Sequence, residues 1–540
     1  MGEDNDMSAT EAKPLKVIGD VESQELTEPS ARSFGLDGRW TEELVIGLVG
    51  PVGSGCSTTY SVLQEIFKTE YLYTVHYYKL SEYIAQGATR IGDSIYESLK
   101  SAERIDKLQT IGDRLRNIFG NSYLAAKAVE KIAELRCKEG FGKTANDINV
   151  PKKVRRVHFI DSIKHPDELR LLRDTYGEIF WLIGVFAPRH VREYRLITQQ
   201  NLDRGDLSKI IERDYTEDED HGQKVRDVFH KADLFIRNDG DDHRHLKESL
   251  SRFLEIIFGS PVHTPTLDES SMYAAYAEAA KSACLSRQIG AAIVSEKNEL
   301  IGLGRNDVPQ FGGGLYTEDA GNLDKRCYVW SDRLCHNDKR KNKLYNQIFE
   351  KLKNAGLLAD GIGPERVVQV LKTTDVKQLI EYSRAVHAEM DAITSVARTN
   401  KGGLLGGTLY STTFPCHSCA RHIVASGIRK VLFIEPYPKS LATELHADAV
   451  SESEKDAGSK VVFLQFSGIA PRNILKLFNV GLTRKDNDGN LKQFNKTKAS
   501  PVVKVSLDDY STHEKWVIKE LTENEEKNIP DGRQATFLGT

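Results

Sequence analysis

A chain of 540 residues is too long for one hydrophobic core, since single cores stop growing at about 250–300 residues, so two large domains are expected. Its 39% hydrophobic and 28% charged residues belong to a globular protein and exclude fibrous and low-complexity classes. A formal net charge of -4 gives no global attraction to nucleic acid, whose binding draws on Lys and Arg at phosphates.

No run approaches the roughly 18 uninterrupted apolar residues of a membrane span, and the acidic start lacks the basic and apolar segments of a signal peptide. A cytoplasmic protein with no membrane partner is expected. Seven scattered cysteines fit metal binding in a reducing compartment better than a disulfide framework.

Residues 1–42 are polar, show no apolar period and read as a disordered leader. Leu44, Val45, Ile46, Leu48 and Val49 then form a buried strand that enters a glycine-rich turn and a helical pattern. Further apolar runs at 157–160, ending on Asp161, at 179–185 and at 233–236 alternate with helical stretches, which predicts a parallel α/β sheet over 43–260. A turn-rich linker follows Gly259, Ser260 and Pro261.

The second unit, 266–480, opens with a helix expected over 270–287 and a hairpin through residue 303. An irregular, cysteine-containing insertion spans about 311–385, longer than ordinary domain loops and so either functional or separately folded. Regular alternation then resumes: a helix from His387, a strand at 408–411, a helix from Cys416, strands at 431–434 and 461–466, and a helix at 471–478. The extension 481–540 is charged and carries little pattern.

Chemistry concentrates at two helix starts. His387 and Glu389 open one, and Pro415, Cys416 and Cys419 open the other. Thiolates at positive helix ends ionise readily. Three ligands, His387, Cys416 and Cys419, leave a zinc ion one open position, the mark of a catalytic rather than a closed structural site. Glu389, beside the metal without binding it, suits proton transfer. A structural zinc knot with a Glu nearby is the alternative.

His-x-Glu with Pro-Cys-x-x-Cys is the signature of the zinc deaminases, and residues 268–480 resemble the deoxycytidylate deaminases. Cys284 to Val294 looks like that family's first helix-to-strand junction, and Gly304, Arg305 and Asn306 like the segment after its second strand. The resemblance implies a cytidine-deaminase-like α/β/α domain and a deoxycytidine nucleotide substrate. It also makes Asn306 a substrate contact at the deoxyribose, beside its plain reading as a turn residue. Phe414, where relatives often carry a small or acidic residue, is expected to reshape the pocket or stack on a base. Some members hold a second zinc, for which Cys284, Cys327, Cys335 and His336 are the candidates here; otherwise these cysteines are small buried hydrophobes.

The turn Gly50-Pro51-Val52-Gly53-Ser54-Gly55-Cys56-Ser57-Thr58, between strand and helix, has the context of a phosphate-cradling loop. Cys56 stands where lysine is normal, and a neutral side chain cannot offset β- and γ-phosphate charge. Residues 43–258 resemble nucleoside monophosphate kinases. Asp161 resembles the magnesium-side acid, and Arg189, Arg192 and Arg195 a basic lid cluster. The resemblance implies a P-loop kinase-like domain that binds a nucleotide; a kinase fold kept only for packing is the other reading.

A kinase-like unit followed by a deoxycytidylate deaminase unit resembles the bacterial antiviral deaminases that deplete deoxycytidine nucleotides during phage infection. That implies deamination of dCMP, dCTP or both, regulation by dTTP or another nucleotide, and a homo-oligomer with a hexamer as one expected size. Part of that family has an RNA inhibitor, so an inhibitory RNA joins the expected partners. A polynucleotide cytosine deaminase, and a nucleotide sensor with structural zinc, are the alternatives.

Overall fold

The computed structural model describes residues 39–528 apart from 96–100, 140, 144–148, 201, 216–220, 241, 331, 400–401, 438–439 and 479–482. The leader expected over 1–42 lies outside the described residues as far as residue 38. From there the chain is anchored: Arg39 pairs with Asp508, and the Thr41 N–H donates to Val505 O at 2.9 Å.

The first sheet holds β1 (Leu44–Val49), β2 (Thr74–Lys79), β5 (Arg156–Asp161), β6 (Phe180–Phe186) and β7 (Leu234–Arg237), all parallel, with β3 (Phe141–Lys143) and β4 (Asn149–Pro151) forming a separate ribbon. β1 lies between β5 and β6 and is buried along its whole length, which is why its sequence is a continuous apolar run rather than an alternation. Helices Cys56–Thr69 and Arg244–Ile257 cover one face; Ser101–Phe119, Tyr123–Lys138 and Pro166–Tyr176 cover the other.

The second sheet is mixed, in the order β12 (Val450–Ser451), β13 (Val461–Gln465), β11 (Lys430–Glu435), β10 (Thr408–Thr413), β8 (Gly290–Val294), β9 (Leu300–Arg305). Helices Ala388–Thr399 and His417–Ala425 pack on one face and Leu267–Ala279 on the other. Gly302 and Gly304 on β9 let the first of these helices lie directly on the strand. A Cβ on Gly304 would come within 2.2 Å of Ala392 N and 2.3 Å of Ala388 O.

The two units share one core and one sheet. β14 (Gly468–Ile469) pairs antiparallel with β7, adding a strand from the second unit to the first sheet's edge. The extension contains helix Leu507–Lys527, which returns to pack on Tyr123–Lys138 and Pro166–Tyr176. Among the described residues no helix is long and apolar enough to cross a membrane.

Two expectations change. The helix expected to reach 287 stops at Ala279. Beyond it, side chains take over the backbone donors: Asp307 accepts from Ala283 N at 3.0 Å, Ser282 from Cys284 N at 3.2 Å and Asn306 from Ile289 N at 2.7 Å. The insertion expected to be irregular contains helices His336–Asn354 and Pro364–Leu371. Only Tyr345 and Phe349 of the longer one are buried, too sparse a stripe to announce an amphipathic helix.

Candidate functional site

His387 and Cys416 immediately precede the two helices on the same face of the second sheet. The Asp391 N–H donates to His387 O at 2.9 Å, so the helix carrying Glu389 begins at the histidine. Cys416 is the N-cap of the other, its Sγ accepting from the Cys419 N–H at 3.4 Å. Parallel pairing of β10 with β11, and the Ser440 hydroxyl donating to Pro415 O at 2.7 Å, hold the connection before Cys416 in place.

These starts converge. Cys416 Sγ lies 3.3 Å and Cys419 Sγ 3.4 Å from His387 Nδ1. Among the described residues this is the only trio whose metal-capable donor atoms all fall within 4.8 Å of one another. Donors about 2.0–2.3 Å from a tetrahedral zinc sit roughly 3.3–3.8 Å apart, so the spacing fits that ion. The electrostatics fit it too. The hydrogen bond from Cys419 holds the Cys416 thiol down to about 4, and hydrogen bonding to Cys416 lifts His387 to about 9. The Cys416 thiolate and the protonated His387 thus form a charged pair, while the hydrogen bond to Cys416, then burial, holds the Cys419 thiol well above its ordinary value.

Glu389 is 5% exposed and its Oε2 lies 3.5 Å from Cys419 Sγ. Burial first, then the Cys416 thiolate, raises its carboxyl above the usual range, the condition for a group that must both accept and return a proton.

The remaining predicted residues fare differently. The Asn306 amide ties the segment before β8 to the end of β9, accepting from Ile289 N and donating to Arg287 O, each at 2.7 Å, and keeps a second N–H and a second lone pair. Phe414 is buried edge-on against Phe433 and Phe463, with ring centroids 4.9 and 5.4 Å away, and borders a cavity of about 730 Å3 shared with Tyr437 and Arg192. Cys335 Sγ meets Ser286 Oγ at 3.6 Å, the His336 ring stacks on Trp330, and burial pushes the Cys327 thiol up with Cys335 and Cys284 nearby. Cys284, Cys327, Cys335 and His336 therefore share a neighbourhood without the convergence seen at the first trio.

The glycine loop lies 50–58 between β1 and its helix. Gly53 and Gly55 take φ of +80 and +93, the left-handed region that favours glycine. Asn238 Nδ2 donates to Ser54 O at 2.9 Å, where a Cβ on Gly55 would approach that nitrogen to 2.0 Å. Arg195 reaches Gly53 O and Ser54 O, and Arg192 reaches Val52 O, while Arg189 pairs with Glu193. Gly50, Cys56, Ser57, Thr58 and Asp161 line a cavity of about 410 Å3, and Tyr77 OH donates to Asp161 at 2.6 Å. Sequence reasoning missed Lys164 and Asp214 beside this loop, since neither belongs to its motif.

Residues 265–435 match the family model for the cytidine and deoxycytidylate deaminase zinc-binding region. The deoxycytidylate deaminase of Enterobacteria phage T2 is 44% identical over 55 residues, 10% of this chain and 29% of the relative. That of Mus musculus is 23% identical over 195 residues, 36% of this chain and 72% of the relative. The chain thus spans under a third of the phage enzyme's length. The apo crystal structure of dCMP deaminase from cyanophage S-TIM5 aligns with 38% of this chain and 100% of its own at 15% identity, with a TM-score of 0.21.

Proposed function

We propose that this chain is a zinc-dependent deaminase converting free deoxycytidine nucleotides, dCMP, dCTP or both, to their uracil forms with release of ammonia. The observation that carries the reading is the convergence of His387, Cys416 and Cys419 beside the buried Glu389, inside the segment that matches the zinc-binding region. Zinc, when bound, supplies the Lewis acidity that makes a water molecule acidic enough, with a pKa of about 7, to act as nucleophile at neutral pH.

The chain's own residues do the rest. His387, Cys416 and Cys419 hold the ion. Glu389 takes a proton from the attacking water and gives it to ring N3 as the C4–O bond forms. It then takes the C4 hydroxyl proton and passes it to the amino group, which leaves as ammonia when the C4–N bond breaks.

The first unit is read as a nucleotide-binding regulator rather than a kinase, because Cys56 replaces the loop lysine and its half-buried thiol is pushed up and stays neutral. The order of units supports depletion of deoxycytidine nucleotides during phage infection by a cytoplasmic homo-oligomer.

Ammonia release from dC, dCMP, dCTP, CTP and a cytosine-bearing oligonucleotide, with and without dTTP, tests the reading. Turnover of dCMP or dCTP with the oligonucleotide untouched is expected. Turnover confined to the oligonucleotide would make the chain a polynucleotide deaminase, and bound zinc with no turnover at all would make it a sensor.

A further inference from the structure

The cavity over the glycine loop, about 410 Å3, falls in the range of roughly 300–1,000 Å3 common for small-molecule sites. Its loop end is built for an anion, with two glycines at positive φ leading into the N-terminus of the helix from Cys56. Burial, followed by the Asp161 charge, pushes the Cys56 thiol up to about 12, so the residue in the lysine position brings no charge.

A cation arrives from elsewhere. Lys164, three residues past the end of β5, lines the cavity and reaches Gly50 O at 3.4 Å. Its Nζ pairs with Asp214 Oδ1 at 2.6 Å, and Asp214 Oδ2 accepts the Val52 N–H of the loop at 2.7 Å. Asp214 is 3% exposed. One internal carboxylate therefore bridges a loop N–H and an ammonium, the pair of donors that two oxygens of a phosphate would take.

The cavity also carries a buried acceptor. Gln109 lines it and is 5% exposed, yet its Oε1 has no hydrogen-bond partner among the described residues. Buried acceptors in folded proteins are nearly always satisfied, so this one is waiting for a donor.

We infer that the cavity binds a nucleoside triphosphate whose phosphate displaces the Asp214 carboxylate from Val52 N–H and Lys164, with Lys164 replacing the missing loop lysine and Gln109 accepting an N–H of the base. This rests on the reading of the first unit as nucleotide-binding and names how that site works. Asp214 lies on helix Arg204–Tyr215, whose Ile211 and Glu212 line a second cavity of about 730 Å3 together with Pro51, Arg192, Phe414 and Tyr437. Phe414 is two residues before Cys416. Displacement of Asp214 thus acts on a helix that faces the segment carrying two of the zinc ligands.

Calorimetric titration of the full-length, zinc-loaded protein with dTTP and with inorganic tripolyphosphate, both with magnesium, tests the inference. Wild type binds both. Lys164→Ala weakens both by about tenfold or more, and Lys164→Arg, which keeps the charge, restores them. Asp214→Asn removes the competing anion and tightens both, roughly three- to tenfold. Gln109→Leu weakens dTTP alone.

Failure of wild type to bind either probe, unchanged binding by Lys164→Ala, or weaker tripolyphosphate binding by a folded Asp214→Asn overturns the inference. Unchanged dTTP binding by Gln109→Leu overturns the base contact. Should Lys164→Ala melt early without ligand, Lys164→Gln, closer in volume, replaces it in the same comparison. Binding is read without turnover, so a negative result here leaves the deaminase reading standing, and loss of ammonia release leaves this one standing.

Discussion

At Phe414, chemistry and packing give opposite answers from one side chain. Next to Pro415 and Cys416, an aromatic ring suggests a surface for a base; in the fold it closes the core between Phe433 and Phe463. Phe414→Ala should therefore lower unfolding free energy by about 3–5 kcal/mol, as emptied aromatic sites do, while leaving KM for dCMP within a factor of about two. Thermal melting and steady-state kinetics on one preparation check both halves.

The contrast with the zinc trio shows what a sequence displays at this scale. His387, Cys416, Cys419 and Glu389 were legible because their residue types and local spacing carry the chemistry, and the structure brings their atoms together. Asn306 was legible only as a type. Its amide is engaged by Arg287 and Ile289, a partnership set by the path of the folded chain between a loop and a strand end. Lys164 and Asp214 were not legible, because their meaning depends on the loop that the fold sets beside them.

Among elements, the helix Ala388–Thr399 depends on a strand that makes room for it. Gly304 on β9 touches the helix backbone so closely that any Cβ must push Ala388 and Ala392 away. Gly304→Ala should destabilise by about 1–3 kcal/mol and displace Glu389, so that ammonia release falls more than zinc content does. A parallel fall in the two would show instead that the trio itself had been disrupted.

The strands and helices around this site followed from apolar periodicity, as β1, β10 and β11 did. The ends of elements did not. Leu267–Ala279 stops where Ser282, Asn306 and Asp307 capture backbone donors, and such captures come from residues distant in sequence. Helix His336–Asn354 escaped notice because it buries so little.

Across the whole molecule, a buried charge network ties the last helix to the first strand. Arg136 sits between Glu43 and Glu514, with Nη2 to Glu514 Oε1 at 3.0 Å, and Tyr510 OH donates to Glu43 at 3.2 Å. The sequence could not show it, since Glu43, Arg136 and Glu514 meet only when the extension returns across the first unit. His158, fully buried on β5, stands near this network. Its Nδ1 meets Tyr78 OH at 3.1 Å, and burial, with Arg136 and Arg156 adding, holds its pKa well below the ordinary value.

Below about pH 6.5 the unfolded chain protonates this histidine and the folded chain does not. Its contribution to stability is therefore complete above that pH and declines as the pH falls. Urea unfolding between pH 7.5 and 5.5 should show stability decreasing toward acid, with a shallower slope in His158→Gln; equal slopes would remove His158 as the cause.

The central claim is that one buried carboxylate beside a three-ligand zinc site moves the protons of a deamination. Glu389→Gln, assayed for zinc content by elemental analysis and for ammonia release from dCMP and dCTP, tests it most directly. About one zinc per chain is expected at the trio in wild type and variant alike, with release in the variant reduced by about 10²–10⁴-fold or more. Release at the wild-type rate from the zinc-loaded variant would contradict it.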